Sequence, residues 1–457
     1  MELEQALHKA VSTIRSWQDE FGPYDELSSL AIDETSFTQA YDDLLARLRD
    51  NYPFFHPRYV GQMLKPPHPA AIAGYVAAML INPNNHALDG GPATARMERE
   101  VVAQLAEMFG FTTHLGHLTS SGTIANLEAL FIARESHPDR GIAYSEDAHY
   151  THERMCHVLG VKGHRVPTDS SGRMDVTALE ELVGRESIGT VVVTAGTTGL
   201  GSIDPIDEIV TLCQMRGIRV HVDAAYGGFF RLIADDEPGG VAAAPYRAIA
   251  QADSVVVDPH KHGLQPYGCG AVLFRDPTVG RFYKHDSPYT YFTSDELHLG
   301  EISLECSRAG AAAAALWLTL QVVPLTPTGL GSHLRQGRAA ALHWADLIEK
   351  SEHLTLFQKP QTDIVTFFPT ADRLDVVDAL TAKVFSSAME LPPREAIFTA
   401  TYTVTSDALA ARGHRLADAE TGPDAPHARI LRSVVMKPES AAVIDHVHSV
   451  IETLVTQ

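Results

Sequence analysis

Cysteine, long apolar runs and basic charge are all scarce in this sequence, and each shortage excludes a class of protein. The four cysteines lie far apart without a CxxC pair, which argues against a zinc cage and a disulfide framework. No stretch reaches the roughly eighteen apolar residues of a membrane span. Residues 1–18 lack the apolar core of a signal peptide. We therefore expect a cytoplasmic protein in a reducing compartment, with no membrane partner.

The charge balance excludes a second class. Asp and Glu together number 57 against 36 for Lys and Arg, and no basic run is present, so a nucleic-acid partner is not expected. Hydrophobic residues make up 45% of the chain and charged residues 20%, which is typical of a folded globular protein. A chain of 457 residues exceeds the size of one hydrophobic core, so we expect a large domain and at least one smaller one.

The pattern of apolar residues divides the chain into three predicted parts. Residues 1–92 contain an opening helical region and then Pro-, His- and Asn-rich sequence, and form a predicted N-terminal arm. Within residues 93–325, amphipathic helices alternate with short β-branched runs, which predicts an α/β domain with a mostly parallel sheet. The predicted strands of this domain are Ile142–Tyr144, Thr190–Thr194, Ile218–Val222, Ser254–Val257 and Ala271–Phe274.

A Pro- and Gly-containing segment, residues 324–329, follows the Ala-rich helix predicted at Gly310–Leu320 and marks the next boundary. Residues 326–457 then form a predicted small α+β domain. Its predicted elements are a helix at 332–350, a strand at Ile364–Phe368, a helix at 374–386, strands at Phe398–Val404 and Ile430–Val435, and a helix at 439–455.

Polar, reactive residues follow four consecutive strands of the predicted sheet. Ligands of open α/β sheets bind beyond the carboxyl ends of the strands, so these segments are the first candidates for a site. The four segments are Ser145–His149, Gly196–Thr198, Asp223–Ala225 and Asp258–Lys261.

Lys261 is the central candidate of this set. It follows an apolar strand and precedes Gly263 and Gly268, where the backbone can closely approach a ligand. A lysine amine in such a place is suited to imine formation with a carbonyl cofactor. The alternative is that Pro259 forms a simple turn and leaves Lys261 as a solvated surface residue.

Asp223 strengthens the cofactor interpretation. It ends a buried strand, where an acidic group is costly unless a cation or donor pairs with it, and a protonated pyridine nitrogen is such a partner. The alternative, a helix or turn cap, is not favoured by the small residues at 224–228, which would let a flat ring lie close to the backbone.

Two further segments complete the candidate site. Ser120–Thr123 precedes the helix predicted at Ile124–Arg134, and hydroxyls with free N–H groups at a helix N-terminus can bind a phosphate. Ordinary N-capping explains the same residues. His149 offers an imidazole that could stack on a cofactor ring, although the chain has 23 histidines.

Five motifs, in this order and spacing, resemble the group II pyridoxal-phosphate decarboxylases, which act on glutamate, cysteine sulfinate, aromatic amino acids, tyrosine or aspartate. The motifs are TSSGTIANLEAL (119–130), EDAHY (146–150), TAGTTGLGSIDPI (194–206), HVDAAYGG (221–228) and DPHKHGLQPYGCG (258–270). The resemblance extends from HPRYVGQM (56–63) to SRAGAAAAALW (307–317).

The resemblance implies an aspartate-aminotransferase-type fold (pyridoxal-phosphate fold type I) and an obligate homodimer whose active sites lie at the subunit interface. It implies decarboxylation of an L-amino acid to its amine and CO₂ with pyridoxal 5′-phosphate as cofactor, through an external aldimine and a quinonoid intermediate. The implied roles are Lys261 as the Schiff-base lysine, Asp223 on the pyridine nitrogen, His149 and Ala225 on the two ring faces, Ser121, Gly122, Thr123 and His260 near the phosphate, and Thr197 or Thr198 near the cofactor hydroxyl.

The acid that returns a proton to the α-carbon is, in this family, commonly a tyrosine on a loop after the lysine strand. The segment SPYTYFTSDELHLG (287–300) offers Tyr289 and Tyr291, and the resemblance of SPYT to an archaeal TPYL segment favours Tyr289. Arg308 either pairs with a substrate carboxylate or closes a structural ion pair. Gln62, Asn85 and His86 are candidate substrate-pocket residues by position, with hydrogen-bonded loop residues as the alternative.

Four other functions compete with decarboxylation. Carbon–carbon lyases of the sphingosine-phosphate-lyase type share the D-x-H-K pattern, and some relatives form aldehydes oxidatively when the loop tyrosine or His149 is replaced. A non-catalytic scaffold would not need both Lys261 and Asp223. A metal hydrolase is not favoured because no HExxH is present and the histidines are scattered, so we expect no metal.

Overall fold

The N-terminal arm lies on the outside of the molecule. The computed structural model of this chain describes residues 2–24, 27–284, 298–417 and 427–457. Helices α1 (Leu3–Asp19) and α2 (Glu34–Leu48) bury none of their residues within the chain. Helix α3 (Pro69–Met79), which His68 caps, packs against the central body, as its buried Ala71, Gly74 and Ala78 indicate.

A seven-stranded sheet forms the core of the large domain, in the spatial order β1-β7-β6-β5-β4-β2-β3. Only β7 runs antiparallel to the others, so the predicted mostly parallel α/β fold is confirmed. The strands are β1 (Leu115–Thr119), β2 (Gly141–Ser145), β3 (Gly163–Val166), β4 (Ile188–Thr194), β5 (Arg219–Asp223), β6 (Ser254–Val257) and β7 (Gly270–Phe274).

Helices cover both faces of this sheet, as a parallel sheet requires. The central strand β4 is buried along its whole length, and its apolar β-branched residues pack against the surrounding helices. These helices are α4 (Pro92–Phe109), α5 (Gly122–Ser136), α6 (Thr151–Leu159), α7 (Val176–Arg185), α8 (Ile206–Arg216), α9 (Ala243–Ala248) and α10 (Gly310–Val322).

The smaller C-terminal part has its own antiparallel sheet, in the order β10-β11-β9-β8. A separate cluster of buried apolar residues, centred on Trp344 and Phe367, lies between this sheet and its helices. The elements are α11 (Leu330–Lys350), β8 (Leu354–Gln358), β9 (Ile364–Pro369), α12 (Leu374–Glu390), β10 (Ala400–Thr405), α13 (Ser406–Ala410), β11 (His427–Val434) and α14 (Ile444–Thr456).

The predicted boundary at residue 92 falls on the first residue of α4, the one at 325 falls in a connection, and the three-domain division stays a prediction. The second boundary lies between α10 and α11. The arm is joined to the small sheet at Val60. Its carbonyl accepts a hydrogen bond from the Val434 N–H, and its N–H donates to the carbonyl of Phe398.

Within the described residues, no helix is long and apolar enough to cross a bilayer.

Candidate active site

The carboxyl ends of the parallel strands surround a cleft of about 220 Å³. Nine of the residues that the resemblance implies in cofactor binding line it together, so the strand-end segments converge. They are Ser121, Gly122, Thr123, His149, Thr198, Asp223, Ala225, His260 and Lys261. Tyr289 and Tyr291 lie outside the described residues, and the prediction that one of them donates a proton stays open.

Lys261 reaches into the cleft from the turn after β6. Its Nζ lies 3.0 Å from Oδ2 of Asp258, and its backbone N–H donates to the Asp258 carbonyl at 2.9 Å. The turn requires glycine at position 263, because a Cβ there would lie 2.6 Å from the Cα of Pro259. The lysine is therefore held inside the cleft by an anionic partner and is not a solvated turn residue.

Asp223 lies at the end of β5, and its carboxylate is held from two sides. Oδ2 lies 2.7 Å from Nε2 of the buried His152, and Oδ1 accepts the Ala225 N–H at 3.1 Å. Burial alone would raise the pKa of Asp223, but the hydrogen bond and charge of His152, the Ala225 N–H and the charge of Lys261 hold it well below its usual value. Asp223 is therefore an anion that can pair with a cationic group in the cleft.

The N-terminus of α5 lies opposite the lysine turn. Ser121 caps the helix, its hydroxyl accepting the Ile124 N–H at 3.3 Å, and the N–H groups of Gly122 and Thr123 precede the first intrahelical bonds. A Cβ at Gly122 would lie 2.5 Å from Oδ2 of Asp258. Glycine at 122 thus lets the helix end, with its positive partial charge, approach the cleft closely.

Replacing Gly122 by Ala should weaken cofactor binding by at least about tenfold, because the added Cβ forces the Asp258 carboxylate and the helix end apart. Titration of the apoprotein with pyridoxal phosphate, followed by absorbance, measures the change. Gly184→Ala is the matched control: position 184 is exposed on α7, and a Cβ there meets nothing within 4 Å. Equal affinities for the two variants would argue against a phosphate site at this helix end.

His149 stands at the mouth of the cleft just before α6. Its Nδ1 lies 2.7 Å from the Thr151 hydroxyl and accepts the Thr151 N–H at 3.2 Å. Because Nδ1 accepts, the ring proton of the neutral imidazole is on Nε2. Burial lowers the pKa of His149, so the neutral ring is favoured, and a neutral ring can lie flat against a cofactor.

The loop after β4 contributes only one of its two threonines to the cleft. Thr198 lines it, whereas the Thr197 hydroxyl is turned away and accepts the Ser202 N–H at 3.1 Å. Arg432, from β11, donates to the carbonyls of Thr198 at 2.5 Å and Gly199 at 2.9 Å. A residue of the small domain therefore fixes the position of Thr198.

The four candidate substrate residues lie outside the cleft of this single chain. Arg308 donates to Glu98 Oε1 at 2.5 Å, a buried ion pair that supports its structural alternative. Asn85 is fully buried and donates to Glu98 Oε2 at 2.6 Å, so it is a hydrogen-bonded loop residue. Gln62 is exposed beside Gly61, and His86 Nδ1 lies 3.5 Å from the Cys306 sulfur.

A buried acidic residue of the small domain joins the two chain segments that carry Asp223 and Lys261. Asp363 accepts a short hydrogen bond from the Tyr226 hydroxyl, and its second oxygen lies 2.9 Å from Nε2 of His262. Tyr226 lines the cleft and His262 directly follows Lys261. The small domain thereby holds both segments at a fixed separation.

Asp363→Asn should reduce turnover by about tenfold while Lys261 still binds the cofactor, because the Tyr226 and His262 contacts weaken without removal of any cleft residue. The split between kcat and KM, with the cofactor absorbance as the second readout, measures this effect. Asp378→Asn, which disrupts an exposed ion pair with Arg429, is the control. Identical kinetics for both variants would contradict a positioning role for Asp363.

Sequence reasoning missed three residues that build the site, His152, Asn126 and Arg432, and named Asp258 only as part of a strand-end segment without a role. His152 lies three residues after His149, on the first turn of α6, and that spacing was the available signal. Asp258 stands in the same strand-end segment as Lys261. Asn126 and Arg432 carry no local signal, since a helix interior and a distant strand bring them to the site.

The cleft retains buried polar atoms that the described chain does not satisfy. Oδ1 of Asp258, Nδ1 of His260 and Oγ1 of Thr194 have no hydrogen-bond partner within the described residues. Such atoms are costly unless a ligand pairs with them. A phosphorylated aldehyde with a cationic ring fits this set, because the amine, the buried carboxylate and the helix end supply one partner for each of its groups. The site is thus of the pyridoxal-phosphate-enzyme class.

Comparison with known proteins identifies the family. The profile of the pyridoxal-dependent decarboxylase conserved domain matches residues 53–369, and this chain belongs to that family. The L-tyrosine decarboxylase of Enterococcus faecium is 29% identical over 454 residues, covering 75% of this chain and 74% of the relative. The probable L-aspartate decarboxylase of Halobacterium salinarum is 34% identical over 264 residues, covering 57% and 71%.

The fold agrees with this membership. The structure of Oryza sativa TDC with PLP and tryptamine has a TM-score of 0.79 and 18% identity, covering 99% of this chain and 97% of that one. The expected fold type is therefore confirmed. The chain is a carboxy-lyase that uses pyridoxal phosphate to decarboxylate an amino acid, and the carbon–carbon lyase and aldehyde-forming alternatives are not supported.

Proposed function

We propose that this enzyme decarboxylates an L-amino acid with Lys261 as the residue that holds the cofactor. This assignment rests on one observation. Lys261, Asp223 and the N-terminus of α5 all line the same cleft. When bound, the cofactor supplies an electron-withdrawing ring that accepts the electron pair left behind by CO₂. Asp223 keeps a proton on the ring nitrogen, and the α5 N-terminus with Ser121 and Thr123 binds the phosphate.

The other residues of the cleft orient the cofactor and shield it. His149 covers one face of the ring and Ala225 packs on the other. His260 lies near the phosphate, and Thr198, which Arg432 fixes, lies near the cofactor hydroxyl. Thr197 is the weaker of the two threonines for this role, because its hydroxyl is already engaged with Ser202.

For the substrate, we propose the amino acids on which the named relatives act, L-tyrosine first and L-aspartate second. The tyrosine-specific relative aligns over a larger share of the chain, whereas the aspartate-specific relative is more identical over a shorter segment. A CO₂-release screen over the standard amino acids and cysteine sulfinate, with the amine products identified by mass, tests the proposal. Release from neither tyrosine nor aspartate, but from another amino acid, would refute it.

The proton donor is proposed to be Tyr289, with Tyr291 as the neighbouring control. General-acid catalysis contributes about 10²–10⁴-fold, so Tyr289→Phe should lower amine formation by at least about a hundredfold. Tyr291→Phe should keep most of the activity. The rate of amine formation, with the aldehyde product quantified in parallel, measures both variants. The reverse ranking would assign the role to Tyr291, and full activity of both would exclude the segment.

A homodimer is also proposed, built through the N-terminal arm. Helices α1 and α2 leave large apolar side chains exposed on the single chain, which favours burial against a second copy. These side chains, each at least 45% exposed, include Trp17, Phe21, Phe37, Tyr41, Leu44, Leu45 and Leu48. Gln62 and His86, which lie outside the single-chain cleft, would then be candidates for a site at the interface.

Sedimentation of the Leu44→Glu, Leu48→Glu double variant tests the dimer. Two carboxylates on the exposed face of α2 should shift the protein toward monomer, whereas Met215→Glu, at a more exposed apolar position on α8, should not. A dimer that both sets of substitutions leave intact would exclude the arm as the interface.

The cytoplasm is the proposed location. Of the four cysteines, three are buried and Cys306 is exposed, and all four are free thiols, as expected in a reducing compartment. Thiol titration of the unfolded, freshly isolated protein under non-reducing conditions should therefore find four thiols per chain.

A further inference from the structure

A second cavity, of about 660 Å³, lies behind the turn that carries Lys261. Its walls come from the arm, from α11 and from the segment after β11, and Leu264 of the lysine turn closes one side. Four basic side chains line it against one carboxylate. They are Lys65, His68, His333 and Lys437, with Glu439 as the acidic residue.

Lys65 is the least satisfied of these groups. Its ammonium makes no hydrogen bond or ion pair with the described residues, and its side chain is half-buried in the wall of the cavity. Lys437, by contrast, donates to the carbonyls of Tyr59 at 2.7 Å and Leu64 at 3.0 Å, which leaves one donor over. Two ammonium groups thus share a cavity that contains a single carboxylate.

The electrostatics of the cavity agree with this imbalance. Burial lowers the pKa of Lys65 to about 8, partly offset by Glu439 and Asp363. Burial and the charge of Lys65 lower the pKa of Lys437 to about 8. Each ammonium is therefore destabilised where it lies, and an anion bound between them would relieve the cost.

We propose that this cavity binds a small organic or inorganic oxyanion, held by Lys65 and Lys437, at a site separate from the active-site cleft. The imidazoles of His68 and His333 supply further hydrogen-bond donors. The volume exceeds that of one inorganic ion and lies within the range of small-molecule sites, which favours a dicarboxylate over phosphate.

The site contacts the lysine turn directly. Leu264 has a φ of +65°, a strained left-handed conformation for leucine, and its carbonyl accepts the His68 N–H at 2.9 Å. A bound anion would stabilise the contact between His68 and Leu264. Leu264 lies only three residues after Lys261. Binding should therefore slow hydrogen exchange of backbone amides in residues 262–268.

Calorimetric titration of the cofactor-loaded protein with succinate, and separately with inorganic phosphate, at constant ionic strength tests the proposal. Succinate should bind, and Lys65→Met should weaken binding by at least about tenfold, the worth of one charge-assisted contact. Lys359→Met removes an exposed lysine and should leave binding unchanged. His333→Gln is a second variant of the same cavity, for the case that Lys65→Met does not fold. The melting curve of each variant shows whether it is folded.

The Lys261→Ala variant shows whether succinate binds in the active-site cleft instead, because such binding should be lost with this side chain. Retained affinity in Lys261→Ala, with loss in Lys65→Met, supports the separate cavity. Loss in Lys261→Ala and retention in Lys65→Met overturns it. If neither anion binds to the unmodified protein, the proposal is also contradicted. If succinate binds but hydrogen exchange in residues 262–268 does not slow, the proposed link to the lysine turn is contradicted.

Discussion

Lys261→Ala is expected to abolish both turnover and the absorbance of the cofactor imine. Lys261 is the lysine of the cleft, and its Nζ lies beside Asp258 and within the same pocket as Asp223. Without this amine no covalent link to the cofactor can form, so both signals should disappear together. Absorbance spectra of the variant with saturating pyridoxal phosphate, followed by a CO₂-release assay, measure the result.

The control has to separate loss of the amine from loss of the fold. Lys261→Ala removes both the cation that pairs with the buried Asp258 carboxylate and the packing of the lysine stem. Lys261→Met removes only the cation and retains the packing, so it is the second variant. Lys359→Ala, at an exposed ion pair with Glu349, controls for the general loss of a lysine. A folded Lys261→Met protein that still forms the imine would refute the assignment.

Asp223→Asn is expected to leave a folded protein whose activity is lower by about 10²–10³-fold. The amide keeps the size of the carboxylate and can still accept the Ala225 N–H, but it removes the charge that pairs with the ring nitrogen. Cofactor binding should weaken less than turnover, because the lysine and the phosphate site remain. Steady-state rates and the absorbance titration together measure both effects.

Asp253→Asn is the matched control for Asp223→Asn. Asp253 directly precedes β6, at the amino ends of the parallel strands, whereas Asp223 lies at their carboxyl ends. Asp253 accepts the Val220 N–H at 2.8 Å and pairs with Arg219. A general weakening of the sheet would affect both variants, whereas loss of the ring contact affects Asp223→Asn alone. Unchanged turnover in Asp223→Asn would exclude the proposed contact with the nitrogen.

The large-domain strands that sequence reasoning found contain short apolar runs, which are β-branched and uninterrupted in β4 and β6. It missed β1, whose LGHLT sequence contains glycine and histidine, and β3, an edge strand with exposed polar residues. Strand β8 was missed because three of its five residues are only half-buried and do not alternate with the buried ones. Helix α14 begins later than predicted, because a 3₁₀ turn occupies Pro438–Ala442.

The candidate site was predictable where function follows strand ends. Asp223 ends a buried strand, and His149 and Lys261 lie in the loops that follow two others, so the sheet brings these positions together without further information. Arg432 and Asp363 were not predictable, because they reach the site from the small sheet more than a hundred residues along the chain. The choice of Thr198 over Thr197 likewise depends on a turn conformation that residue types do not specify.

Peptide mapping after borohydride reduction tests the central claim most directly, because reduction fixes the cofactor to whichever lysine holds it. The cofactor-loaded protein is reduced, digested and analysed by mass spectrometry. The account predicts a phosphopyridoxyl group on Lys261 and on no other lysine at stoichiometric yield. Stoichiometric label on a different lysine, or no label in a protein that shows the imine absorbance, would contradict it.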